Sequence, residues 1–515
     1  MSLPAAPRKI WVDWSLLAAL GSCVVATVLR IMPLGESLWL DELHTAWCAV
    51  GQLDEVAQRA AIGNQSPVFY WMEWALFGIL GEAEFSLRFI SLLAGALLPA
   101  AIFLLARRGK AEVAGLIAAA LIAVDPLAIF YGTEARPYAL VQLLVVGLAA
   151  LTSEVTCRPT WMIRGMWILV AATVFHLHYT AILAVVAMSL FLALSQLFRS
   201  EAGSYGWVHW LTDQALLLLL CLPAAGNVNY IFAHRANWET FVKPQPIWNA
   251  IDWTPLPGWC WLILFIAAAL AWLSQRSASA LPQRLFWLAL IWAAVPLAIA
   301  WVTTVSDFAR LFFPRYLSAS LPAAALCAGL CIQMLPLRSL RVVAGVLTIG
   351  IAIWTSGIIG HYQKDGSSIA KRNEDWRGCV DWLNERIAVE GYPVLVYSGF
   401  IEADELTKPH HELLDAYCVL PVNSLYVIDA SPEDLFPLPM RRPGQTPQPA
   451  EMLCMHRGGC WIVARGNKAL GQRVAEEVCD KLNPIDSGSM SERWSVRQTQ
   501  SFGNVQLLFV TNASL

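Results

Sequence analysis

Leu38-Trp39-Leu40-Asp41-Glu42-Leu43-His44 places two adjacent carboxylates directly behind the first long apolar run of the chain. That run, near residues 12–32, matches the ~20 residues a helix needs to cross the hydrocarbon. The acidic pair therefore stands where the chain has just left a membrane. Ahead of the run, Arg8-Lys9 is followed by no small-residue cleavage pattern, so the first helix is expected to be retained rather than removed as a signal. A second charged cluster, Tyr131-Gly132-Thr133-Glu134-Ala135-Arg136-Pro137-Tyr138, is expected to return to the same side.

Working outward, the 515 residues are 57% hydrophobic and only 14% charged, against about 25% charged in soluble proteins. The mean hydropathy is +0.53. This is the balance of a polytopic membrane protein, and no basic run points to nucleic acid. The 24 tryptophans include many near expected span ends, such as Trp11, Trp14, Trp161, Trp207, Trp253 and Trp301, as in interfacial aromatic belts. Eleven spans are expected, near 12–32, 85–106, 112–130, 136–153, 161–178, 180–198, 212–232, 256–273, 285–304, 316–335 and 341–360.

The loops set the orientation. With Arg8-Lys9 cytoplasmic, the cytoplasmic connections also carry Arg107, Arg108, Lys110, Arg158, Arg164, Arg199, Arg276, Arg284, Arg338 and Arg341, or 12 basic residues. The short outer loops hold six: Arg59, Arg136, Arg235, Lys243, Arg310 and Arg315. This bias satisfies the positive-inside rule. It puts Asp41, Glu42 and Glu134 on the outer face together with the C-terminus. The apolar segment Pro67 to Leu80 is about 14 residues, too short to cross. Residues 33–84 are thus expected to form one outer loop whose helices lie along the membrane surface, with Trp and Tyr rings in the interface.

After about 360 the composition turns polar, so two domains are expected: 1–360 in the membrane and 361–515 outside it. Helical periodicity marks Trp376 to Leu383 and Ala469 to Leu482. Short β-like runs mark Pro393–Tyr397, Leu425–Ile428, Cys460–Ala464 and Val505–Thr511, which together suggest a small soluble α/β domain. Residues 431–450, with six prolines, read as a loop without regular structure. Five of the twelve cysteines (Cys379, Cys418, Cys454, Cys460, Cys479) lie in this domain. An oxidising compartment would permit disulfides there, with one thiol left over.

The order of first span, outer Leu40-Asp41-Glu42, Ser66-Pro67-Val68-Phe69-Tyr70-Trp71 and Glu134-Ala135-Arg136-Pro137-Tyr138 resembles the polytopic GT-C glycosyltransferases. Within them it is similar to the bacterial branch related to protein O-mannosyltransferases and the aminoarabinose transferase of lipid A. The likeness covers residues 10–200 well and the remaining spans by topology. It implies a polyprenyl-phosphate sugar donor, an active site at the outer face of a bacterial inner membrane, and an acidic base in the first outer loop, the position of Asp41 with Glu42 beside it. The acceptor it implies is a hydroxyl of a protein, a lipid or a glycan. One departure is plain. Where the family often carries His or Lys before a Pro-Pro pair, this chain has Asn64-Gln65-Ser66-Pro67, so no cation from this segment would meet the donor phosphate.

A carboxylate that removes the acceptor proton as the glycosyl bond forms is typically worth 10²–10⁴-fold. Carrier phosphate is already a good leaving group, so one base with direct displacement inverts the anomeric carbon, unlike the two-carboxylate glycosidases. The plainer reading is that Asp41 and Glu42 only cap and charge the first turn of a surface helix. Glu134 would orient the acceptor or join a metal; Arg136 would contact the donor phosphate, or the two would only pair locally. Of His176 and His178, which do not share a helix face, one is expected near a phosphate or a metal. Arg315 and Tyr316, before the tenth span, need a negative partner on the outer side, and a lipid phosphate is the natural one. Lys243, in an aromatic and proline-rich outer loop, is a weaker instance. Asp41, Glu134 and His176 would be the ligands of a divalent Mg, Mn or Zn ion, if one is used. The competing classes are a transporter or flippase for lipid-linked sugars, which should place charges in mid-span, and a sensor with 361–515 as its ligand module.

Overall fold

The computed structural model describes residues 13–197, 205–274, 283–407, 412–483 and 493–512. Arg8, Lys9, Arg199 and Arg276 of the loop-charge argument lie outside these. Among the described residues, eight helices are long and apolar enough to cross a membrane: Trp14–Gly35, Glu84–Arg108, Tyr138–Cys157, Tyr179–Leu197, Trp207–Ala233, Arg284–Val305, Pro314–Gln333 and Arg338–Thr355. Two bent pairs raise the number to as many as ten. The remaining expected span, 161–178, falls on Trp161–Leu177, an apolar helix of 17 residues.

The segments that build the site are α1 (Trp14–Ile31), α2 (Leu40–Val50), α3 (Val56–Ile62), α4 (Pro67–Leu80), α5 (Glu84–Arg108), α6 (Glu112–Val124), α7 (Pro126–Gly132) and α8 (Tyr138–Cys157). Helices α6 and α7 meet at 65°. The break is written in Asp125-Pro126: proline cannot continue α6, and the Asp125 carboxylate caps α7 by accepting from the Ala128 N–H at 2.7 Å. At this corner Arg30 of α1 is fully buried and donates to the carbonyls of Ala26, Ala123 and Ile122. Gly95 and Gly132 make room for it; a Cβ at either would come within 2.6 Å of the Arg30 Nε.

The C-terminal part carries a five-stranded mixed sheet of β1 (Val394–Tyr397), β2 (Leu435–Pro437), β3 (Gly459–Arg465), β4 (Ser495–Phe502) and β5 (Val505–Thr511), in the order β2-β1-β3-β5-β4. Strand β1 runs parallel to β2 and β3, whereas β5 is antiparallel to β3 and β4. Two sequence expectations need correction here, and one strand was not foreseen. Leu425–Ile428 is no strand: Tyr426 instead reaches out of the domain to the Leu38 N–H (2.9 Å), and its hydroxyl donates to Glu84. The proline-rich 431–450 is not wholly irregular, since it supplies β2 and the start of helix Gln448–Arg457. Strand β4 has no apolar alternation because it is an exposed polar edge, the usual guard against edge-to-edge pairing. All five cysteines of this domain are buried free thiols.

A larger correction concerns the outer loop. Helix α2 does not lie alone on the bilayer surface. Leu38, Leu43, Ala46 and Trp47 share one hydrophobic core with Trp376, Leu383, Val396, Tyr417 and Trp461 of the C-terminal domain. Tyr70, expected in the headgroups, is buried in that same core.

Candidate functional site

Helix α2 starts under the C-terminal domain. The Leu40 N–H, one of the donors left open by a helix N-terminus, gives its hydrogen to Glu374 Oε2 at 3.2 Å. Glu374 is held in turn by Arg465 at 2.7–2.8 Å. The two acidic residues of the first turn then diverge.

Glu42 faces inward. It is fully buried, and Arg88 of α5 grips it with two bonds of 2.6–2.7 Å. It also accepts from the Ala135 N–H at 2.9 Å. Burial pushes its carboxyl up, but Arg88 and Arg372 outweigh that and hold it below the ordinary range. With both oxygens bonded inside the protein, Glu42 locks α2 to α5 and to the 133–136 turn, a positioning task rather than the catalytic one expected. Thr45 and Ser91 complete the clamp by donating to the carbonyls of Ala135 and Arg136 at 2.8 and 2.9 Å.

Asp41 faces the other way and keeps 23% of its side-chain surface exposed. Its Oδ2 pairs with Arg315 Nη1 at 2.9 Å. Burial raises its pKa, but Arg315, Arg136 and Arg465 outweigh it, so the carboxylate stays ionised below the usual range. The negative partner that Arg315 was expected to find in a lipid is thus, in this structure, Asp41. Neighbouring Arg310 is taken up by Asp307 and Glu239.

Around Asp41 the clamped turn presents donors that the protein does not saturate. Arg136 gives Nη1 to Tyr70 Oη (2.7 Å) and to the Asp41 carbonyl (3.3 Å), yet its buried Nε has no partner. Arg372 reaches in from the C-terminal domain, lying over the Phe130 ring at 4.9 Å, with Nη1 3.8 Å from Glu42 Oε2 and neither Nε nor Nη1 in a hydrogen bond. His178 is buried edge-on against Tyr138 and 6.1 Å from the Tyr316 ring, its Nε2 also without a partner. Burial, aided by Arg136 and Arg315, pushes His178 down to about 3, so the ring is neutral. Glu134 is buried with Oε2 unbonded, and burial lifts it to about 8, so it holds a proton at neutral pH. Buried donors are rarely left unpaired. Here the unpaired groups of Arg136, Arg372, His178 and Glu134 gather in one buried cluster rich in cationic side chains.

The structure brings Asp41, Glu134, Arg136, His178, Arg315 and Tyr316 into this one cluster. It does not bring in Lys243, which is exposed on its loop, or His176, whose Nε2 lies 2.9 Å from the Leu220 carbonyl. The ligand set Asp41, Glu134 and His176 is therefore not assembled. Among the described residues, no group of three or more His, Cys, Asp or Glu side chains is placed to hold a metal ion. Sequence reasoning missed Arg88, Tyr70, Arg372 and the Glu374–Arg465 pair. Arg88 carried a usable signal, being an arginine inside an apolar run that must find a partner. Arg372 carried none, since it arrives from another domain.

Residues 64–226, about a third of the chain, match the family model of dolichyl-phosphate-mannose-protein mannosyltransferase. No curated protein matches the chain. Among solved structures, ArnT from Cupriavidus metallidurans bound to undecaprenyl phosphate superposes with a TM-score of 0.56 at 13% identity, covering 97% of this chain and 98% of that one. Its apo form gives the same TM-score at 12% identity, over 97% and 98% of the two chains. The oligosaccharyltransferase AglB from Archaeoglobus fulgidus, in complex with an inhibitory peptide and a dolichol-phosphate, gives 0.51 at 12% identity, covering 88% of this chain and 69% of that one. The chain thus shares the fold of ArnT and AglB, with eight to ten candidate membrane spans among its described residues and one segment that resembles the mannosyltransferase family.

Proposed function

We propose that the chain is an inverting glycosyltransferase that moves a sugar from a polyprenyl-phosphate donor to an acceptor hydroxyl, with Asp41 as base. The observation that carries this reading is the pairing of an ionised, partly exposed Asp41 with a cluster of unpaired buried nitrogens from Arg136, Arg372 and His178. The relatives bound to undecaprenyl phosphate and dolichol-phosphate support the donor class. Protonated Glu134 adds no negative charge against a phosphate.

The acceptor oxygen attacks the anomeric carbon, its proton passes to an Asp41 oxygen, and the carrier phosphate leaves with the bonding pair. The guanidiniums at 136 and 372 and the His178 ring meet the charge that develops there, the kind of preorganised electrostatics that carries most of such catalysis. A carboxylate held by Arg315 is a weak base. A donor phosphate that draws Arg315 toward itself would release Asp41 and raise its proton affinity when the substrate is in place. Glu42 belongs to the scaffold of this reading, and Tyr316 flanks the phosphate beside His178.

The same reading sets the 1–360 part in a bacterial inner membrane and 361–515 outside it, with the N-terminus cytoplasmic. Support comes from the bundle's two ends: Arg107 pairs with Asp13 at one end, and the cluster around Asp41 occupies the other. Buried Arg30 bonds backbone carbonyls rather than lining a passage, which argues against a transporter. Asp41→Asn tests the proposal. The variant should fold and bind undecaprenyl phosphate as the wild type does, while transfer falls by 10²–10⁴-fold. Near-normal turnover would remove Asp41 as the base.

A further inference from the structure

A cleft that the phosphate cluster does not use lies between the outer loop and the C-terminal domain. Two adjoining cavities of about 300 and 200 Å³ share Ile62 and Asn64. Asn64 forms one wall. Tyr230, His234 and Asn237, on and after helix Ala225–Ala233, form the second; Glu402 and Glu405 of the C-terminal domain form the third.

The wall at Asn64 is tied to the catalytic helix. Gly63 packs so tightly on the His44 ring that a Cβ would fall 2.2 Å from Cε1, and His44 stands one turn beyond Asp41 on α2. Asn64 then takes φ +58°, a left-handed conformation that non-glycine residues adopt rarely and that gathers at ligand sites. Its Nδ2 donates to Glu402 Oε1 at 2.7 Å, while its buried Oδ1 has no partner. Asp41 is near enough to act on Glu402, whose carboxyl is pushed up to about 7 by burial first and by Asp41 among the lesser causes.

The chemistry of the lining selects a ligand class. It offers amides, carboxyl groups, an imidazole and the half-exposed Tyr230 ring, and no lysine or arginine. Amides and carboxyls serve hydroxyl groups in both directions, and an aromatic ring covers the C–H face of a pyranose. A phosphorylated headgroup would find no counter-charge. We propose that this cleft is the acceptor subsite and that it takes an uncharged sugar ring, presenting one of its hydroxyls toward Asp41.

The inference rests on the transferase reading, and the test separates the two. The full chain in lipid nanodiscs is probed by saturation-transfer NMR with methyl hexopyranosides, with a serine-rich peptide as control, while undecaprenyl phosphate binding is measured in parallel. Two variants are used: Asn64→Gly, which keeps the left-handed turn and removes the amide, and Tyr230→Ala at a half-exposed position. The expected result is glycoside binding by the wild type, weakened about tenfold in both variants, with lipid-phosphate binding unchanged. Absence of glycoside binding overturns the subsite, as does equal binding by the variants or a peptide signal that alone responds to them. A chain that binds glycoside through Asn64 but not undecaprenyl phosphate keeps the sugar site and sinks the transferase reading.

Discussion

At the scale of single residues, adjacent acids with the same chemistry have been given opposite work by the direction each faces. Glu42 is sealed against Arg88, and neither side chain has any exposed surface. Removing one partner leaves a buried charge uncompensated, at about 3–5 kcal/mol. Arg88→Gln is therefore expected to lower thermal stability in detergent by that order and to lose lipid-phosphate binding with it; a variant that melts like the wild type would mean the pair holds nothing together. Glu134 gives a pH dependence with a definite sign. Its ordinary pKa is 4.5, and in the fold it is raised to about 8. Between these values the folded chain binds a proton that the unfolded chain has lost, so this group makes stability fall as pH rises from about 4.5 to 8. Above 8 its new charge also faces the donor phosphate. Affinity for undecaprenyl phosphate should thus drop between pH 7 and 9 in the wild type by more than in Glu134→Gln, where this contribution is gone. Equal slopes in the two titrations would detach Glu134 from donor binding.

At the scale of elements, close helix packing decides where the clamped turn can sit. Helices in lipid associate through small residues that let backbones approach, and Gly329 of helix Leu321–Gln333 is the tightest example against α6. A Cβ there would lie 2.3 Å from the Ala114 carbonyl oxygen, a backbone atom that cannot swing aside. Gly329→Ala should cost about 1–3 kcal/mol as the helices part, read as a lower melting temperature, and should loosen α6 and the α6–α7 corner behind residues 133–136. An unchanged melt would show that the two helices slide freely. The corner itself has a local signal in Asp125-Pro126, which the reading of 112–130 as one straight span passed over. What Arg30 does at that corner was not legible, because its room comes from Gly95 and Gly132 on two other helices.

At the scale of the whole molecule, the C-terminal domain is part of the site's foundation and not an appended module. It caps α2 through Glu374, contributes Arg372 and Arg465 to the electrostatics around Asp41 and Glu42, and closes a common core over Leu38, Leu43 and Trp47. A chain ending after Asp365 would expose that apolar face. It is expected to lose undecaprenyl phosphate binding and to aggregate in size-exclusion chromatography. A truncated chain that stayed monodisperse and still transferred sugar would make the domain a recruiting part only.

The amino-acid sequence alone determined the membrane class, most span positions and the placing of Asp41, Glu134, Arg136 and Arg315 at span ends. Those features are periodic or local: an apolar run of fixed length, a proline, a charge stranded beside hydrocarbon. Only the tertiary structure decided that Asp41 is open and Glu42 is shut, that Arg315 meets Asp41 and that Arg372 joins from 330 residues downstream of α2. It also decided that His176 is bonded elsewhere while His178 is drawn in. The reason is physical: which way a carboxylate points, and what neutralises it, depends on partners distant in the chain, whose approach no local pattern encodes.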